Sequence, residues 1–295
     1  MTGKGKYALG IDLGGTQVRA ALVRKDGSLA GPMKNVPTQA KTLDRASLYA
    51  RIRETAASAC AGAPVRGIGI GSTGPVSSLT GEILDCDNLP NLQFFPIRER
   101  LSTDLGAPAL LDNDANALLL GEALYGAGKG AARVFGLTLG TGLGAAFIEN
   151  GRIVHGATDC AGEIWTAPYR DSILENYLSG TALARLYREK TGIAVTGKEV
   201  AVRAGKEDAA ALEVWDTFTQ ALAYTLSWCV NLLDPDVVVL GGSVAASAPL
   251  FLENALEQFR RYICTPSRAH VSVKLSALGN EAGVKGAAAL IWNAL

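Results

Sequence analysis

The stretch AlaLeuLeuAspAsnAspAlaAsnAla at 109–117 continues through an apolar helical segment to Tyr125. GlyAlaGlyLysGly follows at 126–130, then PheGlyLeuThrLeuGlyThrGlyLeuGlyAlaAlaPheIle at 135–148. The first part reads as a buried strand around Leu110–Leu111 that ends in Asp112, Asn113, Asp114 and Asn116. A strand end that releases carboxylates and amides is where α/β enzymes place their chemistry. Asp114 falls at or just before the first turn of a helix, where the positive end of the dipole favours an ionised carboxylate. An ionised Asp beside an Asn suits a general base that takes a proton from a substrate hydroxyl. Taken locally, the simpler reading is an N-cap at Asp114 and a turn at Asn113.

Working outward, the later part of this stretch has a counterpart near the start of the chain. LeuGlyThrGlyLeuGlyAlaAlaPheIle at 139–148 matches LeuGlyGlyThrGlnValArgAlaAlaLeu at 13–22. Each reads as strand, glycine turn, strand, and each is followed by a hairpin dipeptide, AspGly at 26–27 and AsnGly at 150–151. The pattern suggests duplicated lobes. In the first half, strands are expected at 7–13, 18–23, 28–36 and 65–71, with helices at 43–60 and 97–105. A loop with a short hairpin near Glu82–Leu84 should fill 75–91. Past Gly156 an amphipathic helix is expected at 172–190. A long one follows at 208–233, with apolar residues at three-or-four spacing and AspPro at 234–235 to end it. ValValValLeu at 237–240 reads as a buried strand, Ser243 as the cap of a helix to about Tyr262, 271–275 as the last strand, and 281–295 as a small-residue helix.

Composition narrows the class. The 295 residues are 48% hydrophobic, and 28 Lys plus Arg balance 28 Asp plus Glu. A large core can form, and without a basic or acidic excess neither nucleic acid nor a membrane is expected as partner. The five cysteines show no CxxC spacing, so neither a zinc knuckle nor a disulfide framework is signalled. MetThrGlyLysGlyLys leads straight into a strand, and no apolar run reaches spanning length. A soluble, cytoplasmic protein is expected.

GlyGlyThr at 14–16 and GlyThrGly at 140–142 offer backbone N–H groups and hydroxyls to an anion, because glycine lets the backbone approach a phosphate. Asp12, two residues before Gly14, would repel that phosphate unless it holds Mg²⁺, through water. Gly241 and Gly242 would suit a flat nucleoside face. Three strings imitate other families. Gly69–Gly74 and Gly140–Ala145 fit GxGxxG/A, but the first is followed by Pro75 and the second by a hairpin, where a Rossmann fingerprint needs a helix. The 126–130 run lacks a P-loop's first glycine, Ala123 standing there, and Gly130 replaces its Ser or Thr.

Together these segments resemble the ROK family of sugar kinases, in the actin-like ATPase superfamily, over almost the whole chain. LeuGlyIleAspLeuGlyGlyThr at 9–16 and LeuGlyThrGlyLeuGly at 139–144 resemble its phosphate motifs, and AsnAspAlaAsnAla at 113–117 its catalytic segment. AlaGlyGluIle at 161–164 and LeuGluAsnTyrLeuSerGly at 174–180 resemble its sugar-binding segments, and AspProAspValValValLeuGlyGly at 234–242 its adenosine motif. The resemblance implies an α/β fold of two actin-like (ribonuclease H-like) lobes with an interlobe cleft. One lobe would be 1–114 plus 281–295, the other 115–280. It implies ATP and Mg²⁺ as cofactors, a hexose as substrate and a homodimer. Asp114 would activate the sugar 6-hydroxyl, with Asn113, Glu163, Glu175, Gly74 and Asn88 around the sugar. Asp12, Gly14, Gly15, Thr16, Gly140, Thr141, Gly142, Gly241 and Gly242 would serve ATP.

The chain departs from the family in one place. The family has a His shortly after AlaGlyGlu and then a Cys-rich loop that holds zinc. Here Thr166 stands for the His and Trp165 for a Gly, and the shortened loop has no Cys before Glu175. Structural zinc is not expected. Glu163 and Glu175 would be positioned by packing, with Trp165 against the sugar, and His155 would be a turn residue. Glucose is the first substrate expected, with N-acetylmannosamine or another amino sugar as the alternative. A non-catalytic sugar sensor is the second alternative. A repressor, which would carry a helix-turn-helix ahead of the first strand, is not expected.

Overall fold

The computed structural model describes residues 5–294. The expectation that residues 1–6 lead directly into a strand falls partly on residues 1–4, outside that range, as does Leu295 at the end of the last expected helix.

Apolar residues on either side of the GlyGlyThr turn form the hairpin β1 (Tyr7–Leu13) and β2 (Gln17–Val23). β3 (Lys34–Pro37) pairs with β2. The third strand was expected from Ser28, but only Leu29 bridges back, to Val23. Gly31 and Pro32 interrupt the run, and Pro32 has no N–H to give a ladder. Asp44 caps α1 (Arg45–Cys60), accepting from Ser47 N at 2.7 Å. β4 (Val65–Ser72) follows, then the short hairpin β5 (Val76–Ser77) and β6 (Glu82–Ile83), α2 (Ile97–Leu105), β7 (Ala109–Asn113) and α3 (Asp114–Tyr125). The sheet order is β3-β2-β1-β4-β7, with β1, β4 and β7 parallel.

The second sheet, β10-β9-β8-β13-β14, combines β8 (Arg133–Leu139), β9 (Leu143–Glu149), β10 (Arg152–Ile153), β13 (Val237–Gly241) and β14 (Ser272–Leu275). Between β10 and β13 lie the two-residue strands β11 (Pro168–Tyr169) and β12 (Ser172–Ile173), then α4 (Gly180–Thr191), α5 (Gly197–Ala204) and α6 (Ala209–Leu233). The helix expected from Ser172 starts only after Ser179, whose hydroxyl accepts from Ala182 N at 3.0 Å. Ser172 and Ile173 pair with β11 instead. After β13, Ser243–Leu250 is a 3-10 segment and α7 (Leu252–Arg260) a separate helix. The single helix expected there is interrupted: Ser247 leaves helical geometry, and Pro249 supplies no N–H. Ser243 makes no cap either, because Gly242 holds the N-cap position and no side chain bonds the first turn. α8 (Thr265–His270) and α9 (Ala282–Asn293) complete the helices.

Contacts divide the chain into one unit of 1–130, 148–159 and 277–295 and another of 131–147 and 160–276. The boundary thus falls at 130 rather than 114, because α3 packs against α9. Small residues let the two helices meet backbone to backbone. A Cβ on Gly286 would stand 1.6 Å from the Ala117 carbonyl oxygen, and one on Gly69 of β4 would stand 1.7 Å from that of Ala287. The buried Glu122 carboxylate of α3 accepts N–H bonds from Ala127, Ala277 and Leu278 at 2.9–3.1 Å, which fixes the chain entering α9. The core of the second unit gathers on α6, where Trp215, Phe218 and Phe251 form a ring cluster with centroids 5.1–5.6 Å apart. No helix among the described residues is long and apolar enough to cross a membrane.

Candidate active site

In the first unit the three parallel strands end level: Leu13 lies opposite Ser72, and Ser72 opposite Asn113. Carboxyl ends of strands are where open α/β sheets bind ligands. Leaving β1 is the turn 14–16, leaving β4 is Gly74, and leaving β7 is Asp114. One sheet edge therefore collects Asp12, Gly14, Gly15, Thr16, Gly74, Asn113 and Asp114. Asn88 joins them, since a Cβ on Gly15 would stand 2.8 Å from the Asn88 carbonyl oxygen. Its amide donates to Thr73 Oγ1 at 3.2 Å. Gly74 is as tightly set, with space for a Cβ only 2.9 Å from Asn113 Nδ2.

The N-cap of α3 is Asn113, not Asp114. Asn113 Oδ1 accepts from Ala115 N at 2.8 Å and Asn116 N at 3.4 Å. Asp114 is the first helical residue, half-buried, and its Oδ1 accepts from Ala115 N at 2.8 Å. The helix dipole favours its ionised form there. Asp112, 4% exposed, accepts from Asn113 N and Asn116 Nδ2, both at 2.8 Å. His155, read from sequence as a turn residue, lies 2.7 Å from Asp112 Oδ2 through Nε2. This bond raises the imidazole pKa, against the opposing effect of burial.

Asp12 is also engaged. Arg19 Nη1 donates to its Oδ2 at 2.9 Å. Burial pushes the Asp12 carboxyl upward and Arg19 pulls it back. The surroundings fit a hydrated Mg²⁺, which takes oxygen ligands and retains its waters. A carboxylate is present, and Gly283 of α9 lets the helix backbone come close to it: a Cβ on Gly283 would stand 2.8 Å from Asp12 Cγ. Arg19 and Thr38, whose hydroxyl donates to Gly14 O at 2.6 Å, were not singled out from sequence. Arg19 could have been found, because strand pairing across a three-residue turn sets it opposite Asp12.

In the second unit, the turn 140–142 is held by the start of α4. Gly180 N donates to Gly140 O at 2.7 Å and Thr181 Oγ1 to Thr141 O at 2.8 Å. Glu175 reaches the same turn: its Oε2 accepts from Leu143 N at 2.8 Å, and a Cβ on Gly142 would stand 2.4 Å from it. Gly241 ends β13 beside β8, and Gly242, with φ 87°, takes a backbone conformation open to glycine. Glu163 is exposed and accepts from the indole N–H of Trp165. Thr166 turns its hydroxyl to the Glu163 carbonyl oxygen at 3.2 Å. Among the described residues no three His, Cys, Asp or Glu side chains come together as a metal-binding group.

A sequence model of the ROK family matches residues 8–294. A glucokinase of Halalkalibacterium halodurans is 30% identical over 317 residues, covering 97% of this chain and 95% of that protein. An N-acetyl-D-glucosamine kinase of Mannheimia succiniciproducens is 32% identical over 244 residues, covering 76% and 79%. The crystal structure of a ROK family glucokinase from Streptomyces griseus, in complex with glucose and AMPPNP, matches with a TM-score of 0.82 at 27% identity, covering 96% of this chain and 98% of that one.

Proposed function

Since the chain belongs to the ROK family and has the actin-like fold of its sugar kinases, we propose that it is an ATP-dependent kinase acting on the 6-hydroxyl of a hexose, with Asp114 as general base. The observation that carries this reading is the level ending of β1, β4 and β7. It sets Asp114 on the same sheet edge as the 14–16 phosphate turn, Gly74 and Asn88.

Phosphoryl transfer needs positioning and charge neutralisation more than covalent chemistry. Asp114 accepts the proton of the attacking hydroxyl as that oxygen bonds to the γ-phosphorus and the bond from the γ-phosphorus to the leaving ADP breaks. Asn113, Asn88, Glu163 and Glu175 hold the remaining hydroxyls, and carboxylates suit that task because each accepts from paired hydroxyls. The turns 14–16 and 140–142 offer N–H groups to the phosphates, and Gly241 and Gly242 line the adenosine. Asp12 would hold Mg²⁺, which would supply neutralisation of the triphosphate charge. The reading assigns no structural zinc: Trp165 braces Glu163, and the N–H of Leu143 braces Glu175.

Glucose is the first substrate proposed. Thr166 favours a second reading, an amino sugar, because its side chain is shorter than the imidazole it replaces and its hydroxyl is turned to the Glu163 carbonyl oxygen. ATP turnover with glucose, mannose, glucosamine and N-acetylmannosamine tests both. Several hexoses differing at carbon 2 should react, with kcat/KM spread over no more than about two decades. One sugar preferred by more than about 10⁴-fold would mean a fully paired polar pocket at that carbon. Binding of one of these sugars without ATP turnover would favour a non-catalytic sugar sensor.

A further inference from the structure

We infer that His155 is a positioning residue for Asp114, and that with Asp159 it ties the turn bearing the base to the loop proposed to bind the sugar. The inference rests on the role proposed for Asp114. The turn 112–116 is folded around the buried Asp112 carboxylate. Two of the donors on that carboxylate, Asn113 N and Asn116 Nδ2, belong to the turn itself and share Oδ1. The third, His155 Nε2, comes from the segment after β10 and meets Oδ2. Four residues on, Asp159 Oδ2 accepts from Ser78 N at 3.1 Å and Ser78 Oγ at 2.8 Å. Ser78 lies in the β5–β6 turn, four residues past Gly74, and Arg98 Nη1 holds its carbonyl at 2.8 Å. One short segment thus grips both the turn that carries Asp114 and the hairpin that extends the Gly74 loop.

The physical consequence is specific to the base. Removing the imidazole leaves a buried carboxylate oxygen without that donor, and an unmade bond at a buried charge is more costly than the bond itself is worth. The turn then relaxes to find water, and Asp114, two residues on, moves with it. Displacements of about 1 Å at a reacting group can cost on the order of a hundredfold in rate. Among the described residues no hydrogen bond joins His155 to the turns 14–16 or 140–142, so nucleotide binding should not follow.

The test is steady-state kinetics on the best hexose of the sugar panel. His155→Ala is expected to lower kcat about 10–100-fold with the KM for ATP within about twofold of wild type. His155→Gln, whose amide nitrogen can stand where Nε2 stands, is expected to return kcat to within about threefold. His155→Asn, one methylene shorter, should not. If the alanine variant does not fold, the Gln-to-Asn contrast carries the test alone. An alanine variant within about twofold of wild type, or a glutamine variant as slow as asparagine, overturns the inference. Asp114→Asn, measured alongside, separates the two failures. If it stays active, the assignment of the base is wrong. If it is inactive while His155→Ala is not, only the role of His155 is wrong.

Discussion

In the first unit β1 lies between its hairpin partner β2 and the parallel strand β4, and β7 continues the sheet. In the second, β8 lies between β9 and the parallel strand β13, and β14 continues it. Both hairpins turn in three residues, 14–16 and 140–142. The side chains differ. Where the first hairpin sets Asp12 against Arg19, the matching sequence positions of the second are Thr138 and Ala145. Where β7 runs into Asp112, Asn113 and Asp114, β14 runs into Ser276, Ala277 and Leu278. An anion-binding turn is a backbone device, so it tolerates almost any flanking residues. Holding a metal or moving a proton takes particular side chains, and one set is enough.

The largest expected effect removes that difference. Asp114→Asn should lower kcat by about 10²–10⁴-fold, the usual worth of a positioned general base, with sugar and ATP binding measured by calorimetry nearly intact. A variant that keeps more than about half of wild-type kcat would leave Asp114 as a helix-start acid, and the two sheets would be chemically alike.

A second contrast is how the sheets are covered. α9 meets β4 and α3 at backbone distance, whereas large aromatic side chains fill the core of the second unit. Gly286→Ala should therefore cost ~1–3 kcal/mol, as overpacking does. At about 2–4 °C per kcal/mol for chains of this size or somewhat smaller, calorimetry should show a lower Tm. An unchanged Tm would mean α9 has slack at Ala117. The smallest effect concerns the metal. Asp12→Asn should raise the Mg²⁺ concentration for half-maximal activity on the order of tenfold, equivalent to ~1.4 kcal/mol. Thr138→Val should leave it unchanged. Equal responses in the two variants would show that the carboxylate does not distinguish the hairpins.

The glycine turns and most strands of the two five-stranded sheets were legible in the sequence because each is set by local pattern, although β3 starts at Lys34 rather than Ser28. α5 was legible too and was missed: Thr196 and Glu199 form a capping box, a signature visible in the sequence itself. What local pattern hides is the outcome of competition. Apolar spacing at 172–179 suited a helix, but pairing of Ser172 and Ile173 with β11 prevailed. The helix expected from Ser243 failed at Ser247 and Pro249, and the proline was a visible warning. His155 could not have been found in this way. Its partner Asp112 is 43 residues away in sequence, and nothing near His155 marks that contact.

The division of the chain also has a consequence for synthesis. The unit that contains β1 is closed by α9, so its glycine-lined sheet face stays uncovered while residues 131–276 are being made. At about 5–20 residues per second, that interval lasts on the order of ten seconds. The second unit has all of its own sequence before the first one does. Until α9 emerges, Gly10 and Gly69 present bare backbone, and a ribosome-bound nascent chain would expose a surface that the finished protein never shows.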